Sequence, residues 1–372
     1  MASPLAIHAG REAAATLARH GWDPSLFSLL LGASGGPKWF ILAALDRYLF
    51  GDYLQRSTRP LAVLGSSVGA WRHACLAQDD PVAAIDRFAE SYLGQVYSAR
   101  PDAAEVSRTS LATLNDLLGS DGAGAIARHP RITTHIVTAR GRGPCAAAGG
   151  PLLALGLAAA AGANALARPA LAAAFQRVVF SSSFSSSFSG GLSGSFSGGD
   201  GATAGAGAPA LPGFATRGAP LTAANARAVL HASGSIPFLL TGERDIPGAP
   251  PGHYWDGGII DYHFDPRPFD TGGLILYPHF RSDLTPGWFD KFLPWRRLAP
   301  ALVERLVLVA PHPDFVASLP LGKIPDRGDF TKLETGERLA NWRSCLARGE
   351  ELAEAFAAQV AGADPLAGVS VS

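Results

Sequence analysis

The tightest constraint in this chain lies at residues 61–78, where a short apolar run meets a helical pattern across only five residues. Leu61-Ala62-Val63-Leu64 reads as a buried strand, Gly65-Ser66-Ser67-Val68-Gly69 as a sharp turn, and Ala70–Gln78 as a helix. A chain that passes so abruptly from strand to helix holds the residue at the tip in strained backbone angles. Glycine two places to either side allows the close approach this needs. Such a turn exposes the Ser67 hydroxyl at a helix N-terminus, where developing negative charge is favoured. The pentad fits G-x-S-x-G, the pattern of a serine nucleophile, although a plain glycine-rich strand-to-helix turn would satisfy it too.

The same grammar occurs once more upstream. Phe27–Leu31 is strand-like, Gly32–Lys38 is a glycine-rich turn, and Trp39–Phe50 has helical period. Two strand–turn–helix units within about fifty residues imply βα units and a largely parallel sheet. Further strands are expected at Arg131–Thr138, Arg177–Phe180, Leu274–Tyr277 and Leu306–Val309, and a long helix over about 336–361. The expected fold is a three-layer α/β/α domain with a mainly parallel central sheet and helices on both faces, one domain over 1–372. Residues 181–215, rich in Ser, Gly and Phe, read as a flexible surface insertion whose phenylalanines could form a lid over an apolar site.

Composition narrows the function classes. With 47% hydrophobic residues the chain can bury a large core. Thirty-one basic residues balance thirty-one acidic ones, so no global field recruits nucleic acid. Cys75, Cys145 and Cys345 are odd in number, scattered, and lack metal spacing, so neither a disulfide framework nor a metal is expected. Met1–Arg11 has no basic segment followed by an apolar one, and the expected compartment is the cytoplasm. Gly143–Ala167 carries no charge but is mostly Ala and Gly, and it reads as one or two buried helices, with a membrane-associated surface as the lesser alternative, rather than a membrane span.

Two other segments carry chemistry. In Gly32-Ala33-Ser34-Gly35-Gly36-Pro37-Lys38 the N–H groups of Gly35, Gly36 and Lys38 can converge on an oxyanion, whereas Pro37 has none to give. Phosphate binding by a P-loop fails because Trp39 follows Lys38, and G-x-G-x-x-G is missing. Asp256-Gly257-Gly258, between His253-Tyr254-Trp255 and Ile259-Ile260, reads as a strand-end turn. Its carboxylate could serve as a turn former or as the base that takes the serine proton.

An oxyanion loop, a G-x-S-x-G serine about thirty residues later and a distant Asp-Gly-Gly together resemble the patatin-like phospholipases, in a divergent bacterial-type branch. The segment Ala232-Ser233-Gly234-Ser235-Ile236-Pro237 is similar to one preceding the Asp motif in that family. The resemblance covers roughly residues 27–265. It implies a patatin-like fold, hydrolysis of lipid acyl esters through an acyl-enzyme, Ser67 as nucleophile, and Asp256 as its partner in a Ser–Asp dyad. It further implies Gly35 and Gly36 as part of the oxyanion hole, and no cofactor. Lys38 and Val68 complete the expected oxyanion and substrate-binding set. The family loop usually reads Gly-Gly-Gly-x-Lys/Arg-Gly, whereas Ser34 and Trp39 stand here for its first and last glycines.

Two rival readings accompany this one. An α/β-hydrolase triad could take Ser67 and Asp256 with His263, His279 or His312, and a catalytically idle lipid-binding protein could keep the fold. Asp261, His263, Asp265 and His279 have spacings a metal could use, but polar residues after a site aspartate explain them equally, with His263 as a supporting group near Asp256. Pro286–Arg297 mixes aromatic and basic residues, which suits packing or transient membrane contact. Asp326-Arg327-Gly328-Asp329 reads as a solvated, salt-bridged loop. The expected partner is a lipid or other acyl ester, with transfer to an acceptor other than water left open.

Overall fold

The computed structural model describes residues 3–182, 211, 213–267, 269, 272–298 and 303–372, so most of the Ser/Gly-rich insertion, and with it the expected lid, lies outside the described residues. The chain begins with β1 (Leu5–Ala9), α1 (Arg11–His20), β2 (Phe27–Gly32), α2 (Ala43–Gly51), β3 (Leu61–Ser66) and α3 (Val68–Leu76). It continues through α4 (Pro81–Leu93), α5 (Ala103–Leu118), α6 (Gly122–Arg128), β4 (Ile132–Gly141), α7 (Gly150–Leu166) and β5 (Phe175–Ser182). Next come β6 (Thr216–Leu221), α8 (Ala226–Gly234), β7 (Glu243–Arg244), β8 (His253–Asp256), β9 (Leu274–Pro278) and β10 (Leu306–Pro311). The end holds α9 (Pro313–Ala317), α10 (Asp329–Lys332), α11 (Thr335–Arg348), α12 (Glu350–Ala361) and β11 (Val369–Val371).

These strands build one mixed, mostly parallel sheet in the order β11-β1-β10-β9-β2-β3-β4-β5-β6. The run β10-β9-β2-β3-β4 is parallel throughout. Its central strands are buried along their length: Leu29, Leu30 and Leu31 on β2, and Val63 and Leu64 on β3, lie in the core. Strands sealed from water on both faces need continuous apolar runs, which is why these were readable in the sequence. The antiparallel members, β1 against β10 and both β5 and β8 against β4, were not expected.

The arrangement along β4 positions the site. On one edge, β3 pairs in parallel with Ile132–Val137, ending with Ser66 opposite Val137. From Thr138 onward β8 pairs with β4 in the antiparallel sense, and Asp256 stands opposite Thr138. The ends of β3 and β8 therefore meet head to head, bringing residue 67 and residue 256 together from opposite directions.

Two expected helices are corrected. The tail is two helices, α11 and α12, divided at Gly349, which caps the first and opens the second. Gly143–Ala167 is a short 3-10 turn followed by α7, and α7 is not buried: only Leu153, Gly156, Ala160 and Asn164 face inward. Alanine and glycine gave too weak a pattern to tell a narrow inward stripe from full burial. Its outward face carries no charged residue, and Leu166 is 90% exposed. Arg296, donating to the Ala165 carbonyl at 3.2 Å, ties this helix to the neighbouring 288–296 turns, where Phe292 is 76% and Trp295 73% exposed. Among the described residues no helix is long and apolar enough to cross a membrane.

Candidate active site

Ser67 sits at the tip between β3 and α3 with φ 54° and ψ −133°. A non-glycine residue held there carries roughly 1–3 kcal/mol of backbone strain, which persists only where surrounding contacts determine it. Those contacts are visible. The Ser67 N–H donates to Ser233 Oγ at 2.9 Å, and Ser233 Oγ donates to the Val137 carbonyl at 2.7 Å, so α8 and β4 both grip the turn. A Cβ on Gly65 would stand 2.6 Å from Ala70 Cα and N, and one on Gly69 only 2.0 Å from the Gly32 carbonyl oxygen. The first turn of α3 is thus pressed directly onto the end of β2.

From the other side Asp256 reaches the same point. Ser67 Oγ donates to Asp256 Oδ2 at 2.9 Å, and the Gly258 N–H donates to Oδ1 at 2.7 Å. A Cβ on Gly257 would fall 2.2 Å from the Val137 carbonyl oxygen, and one on Gly258 would fall 2.6 Å from Ser34 Oγ. The two glycines are what let the aspartate turn run between β4 and the Gly32–Lys38 loop. Ser34 closes the contact, its Oγ donating to Ser66 Oγ at 3.1 Å while its N–H donates to the Tyr262 carbonyl.

The loop residues divide. Gly35 and Gly36 open a 3-10 turn, where the first N–H groups have no partner inside the turn. Val68 is likewise the first residue of α3. These three N–H groups are available to an oxyanion. The Lys38 N–H is not, because it donates to the Gly35 carbonyl at 3.4 Å. Lys38 instead offers its ammonium, 5.3 Å above the Phe280 ring. That ring lies 2.8 Å from where a Gly35 side chain would begin, so it supports the loop from beneath.

Ser67 and Asp256 are 5% and 6% exposed, which screens them from bulk water. Burial pushes the Asp256 carboxyl above the ordinary carboxylate range, against the Gly258 N–H, the Arg327 and Lys291 charges and the Ser67 hydroxyl. Lys291 is pushed down to about 7 by burial first, then by Lys38 and Arg327, with Asp256 opposing. Its Nζ lies 3.6 Å from the Tyr262 ring centroid.

None of the ten histidines, all among the described residues, bonds Ser67 or Asp256. His263 Nδ1 accepts from the Thr285 N–H at 2.9 Å, His279 Nδ1 meets the Arg281 backbone, and His312 caps α9. His263 and His279 pack edge to face 4.3 Å apart behind Tyr262 and Phe280. Burial pushes both well down, His279 to about 3, so both rings are neutral at pH 7. Asp261 is held by both arms of buried Arg177 and Asp265 by Arg267, so the four metal-spaced residues point to separate partners.

The loop 326–329 is salt-bridged as expected through Asp326, which pairs with Lys323 at 2.9 Å, but Asp329 is buried rather than solvated. Arg327 turns toward the site, its Nη2 3.5 Å from the Cβ position of Gly36. Ser233, Lys291 and Arg327 are the site neighbours that sequence reasoning did not assign. Ser233 lay within a segment singled out for other reasons, whereas nothing in the sequence links residues 291 and 327 to residue 67. The described hollow of about 630 Å³ lined by Gln78, Asp80 and Asp121 lies beyond the C-terminal end of α3, away from Ser67. No protein-family model matches this sequence, and comparison with curated proteins gives no match.

Proposed function

We propose that the chain is a serine hydrolase of acyl esters, patatin-like in its three-layer fold and in its Ser–Asp dyad. One observation carries this: a serine strained at a strand-to-helix tip donates at 2.9 Å to a buried carboxylate that has no histidine between. In the first step Asp256 takes the Ser67 proton as Oγ bonds to the acyl carbonyl carbon. The tetrahedral oxyanion faces the N–H groups of Gly35, Gly36 and Val68. Collapse breaks the bond to the alcohol, which leaves with the proton from Asp256. Water repeats the sequence and frees the acid. The cytoplasm is the compartment that suits three buried free thiols.

The test is covalent labelling by a fluorophosphonate together with hydrolysis of p-nitrophenyl butyrate. Wild type is expected to label and turn over, Ser67→Ala to do neither, and His312→Ala to keep most of its activity. Failure to label alongside an active control hydrolase would favour the idle lipid-binding reading. Loss on removing a histidine from a still-folded protein would favour a triad.

The same reading gives a use for the apolar outer face of α7 and for exposed Phe292 and Trp295, with Arg297 beside them. It is transient contact with an anionic bilayer, where aromatic rings sit at headgroup level. Wild type is expected to sediment with phosphatidylglycerol liposomes and the Leu155→Glu/Trp295→Glu variant to stay in solution. A wild type that never sediments would end this part of the reading.

A further inference from the structure

Between Asp256 and the carbonyl that holds the glycine-rich loop, the chain makes one tight passage. Asp256 ends β8, Gly257 and Gly258 follow without side chains, and the N–H groups of Ile260 and Asp261 both donate to the Gly257 carbonyl, at 3.1 and 2.9 Å. One residue further on, the Tyr262 carbonyl accepts from the Ser34 N–H at 2.9 Å. The placement of this turn therefore sets two things at once. It sets where the Asp256 carboxylate meets Ser67 Oγ, and where the loop bearing Gly35 and Gly36 lies. Ile259 and Ile260 pack into the smaller core cluster with Trp255, but apolar packing carries no direction.

The directional hold comes from β5. Arg177 Nε and Nη2 donate to the two Asp261 carboxylate oxygens at 2.6 and 2.7 Å, and both side chains are buried. Nη1 donates to the Leu211 carbonyl at 3.1 Å and to Thr216 Oγ1 at 3.2 Å, so the guanidinium is itself fixed. Arg168 adds a bond to the Ile260 carbonyl, and the two guanidinium carbons lie 5.1 and 5.0 Å from the centroid of one ring, Phe214. A buried ion pair seldom stabilises a fold more than well-packed apolar side chains, because desolvation offsets the attraction. What a two-bond fork supplies and a leucine cannot is a fixed angle.

We propose that Arg177 and Asp261 are positioning residues for the Ser67–Asp256 pair, fixing from one buried contact both the turn that carries the base and the carbonyl that anchors the oxyanion loop. This rests on the hydrolase reading. Both residues act through the turn 257–262 rather than on the substrate.

Removing Arg177 alone would strand a buried carboxylate and destabilise the fold, so the test uses the full chain carrying Arg177→Met/Asp261→Leu, which deletes both charges together. Its melting temperature is expected within about 5 °C of wild type. On p-nitrophenyl butyrate kcat should fall by about a hundredfold, the scale of a displacement near 1 Å, while KM stays within about threefold. Hydrogen exchange followed by mass spectrometry should speed up in peptides covering 30–38 and 254–262, and stay slow in β3. Unchanged kcat in an active protein would overturn the proposal. So would a fall that comes with a collapsed melting curve or with faster exchange throughout, since the pair would then serve the fold as a whole. If wild type neither hydrolyses nor labels with a fluorophosphonate, yet those two segments alone loosen in the variant, the hydrolase reading fails and the hold on residues 34 and 256 stands. If the two segments stay as protected as in wild type, the positioning role falls whatever the activity.

Discussion

Asp256→Asn is expected to lower ester turnover by about a thousandfold or more, the usual scale for removing the base of an activated serine, while leaving the protein at least as stable at neutral pH. The amide fits the cage. Its oxygen can accept from the Gly258 N–H as Oδ1 does, and its nitrogen can face Ser67 Oγ, so no buried polar atom is orphaned. What it lacks is a site for the serine proton. The stability expectation follows from the direction in which burial moves the carboxyl. With its folded-state value raised above the ordinary one of 3.8, the native state binds the proton more tightly than the unfolded chain between those two values. Stability contributed by Asp256 is therefore present at low pH and lost as pH rises through the raised value. Asparagine removes that loss, so the Tm difference between variant and wild type should be more favourable to the variant at pH 7 than at pH 3.5. Wild-type activity should climb with pH through the same raised value, since only the carboxylate accepts a proton. Thermal melts and kcat at matched pH check both statements. Retained turnover would remove Asp256 from the chemistry, and lost turnover with a collapsed melting point would mark a folding defect instead.

What the sequence made legible was local. β2 and β3 announce themselves because strands covered on both faces must be apolar throughout, and the two glycine turns because a tight strand-to-helix passage needs small residues. Asp256 was legible for a similar reason, since Gly257 and Gly258 mark a turn squeezed between neighbours. The antiparallel insertion of β8 beyond the end of β3 was not legible. A four-residue strand records nothing of which edge it will join, and that edge is what puts Asp256 beside Ser67. Lys291 and Arg327 were hidden more deeply. Each sits in a segment whose composition suits packing or a surface loop, and each reaches the site only because distant chain returns there. Their charges matter through distance and burial, which no spacing in one dimension encodes. The misread α7 has a different cause: leucine, alanine and glycine stand on its inward and outward faces alike, so periodicity vanishes.

The largest structural effect is expected from Gly69→Ala. Its Cβ would meet the Gly32 carbonyl oxygen at 2.0 Å and the carbonyl carbon at 2.2 Å, and a Cβ on Gly32 would in turn stand 2.7 Å from the Gly69 oxygen. Both sides of this contact are backbone, so no side chain can rotate away. Relief must come from lifting the first turn of α3 off β2. That turn carries Ser67 and the Val68 N–H, while β2 leads into the loop holding Gly35 and Gly36, so the shift separates nucleophile from oxyanion donors. Overpacking of this kind is expected to destabilise the fold by about 3 kcal/mol or more. In whatever fraction folds, turnover should fall by about a hundredfold, since a displacement near 1 Å suffices for that. Gly234→Ala is the matched control: its Cβ would lie 3.6 Å from the Trp71 ring, an ordinary contact, and stability should change by no more than about 1 kcal/mol. Denaturant melts of both variants decide the matter. A Gly69→Ala protein with wild-type stability and turnover would show that α3 and β2 can part without consequence, and the close seating of Ser67 would then not be what organises the site.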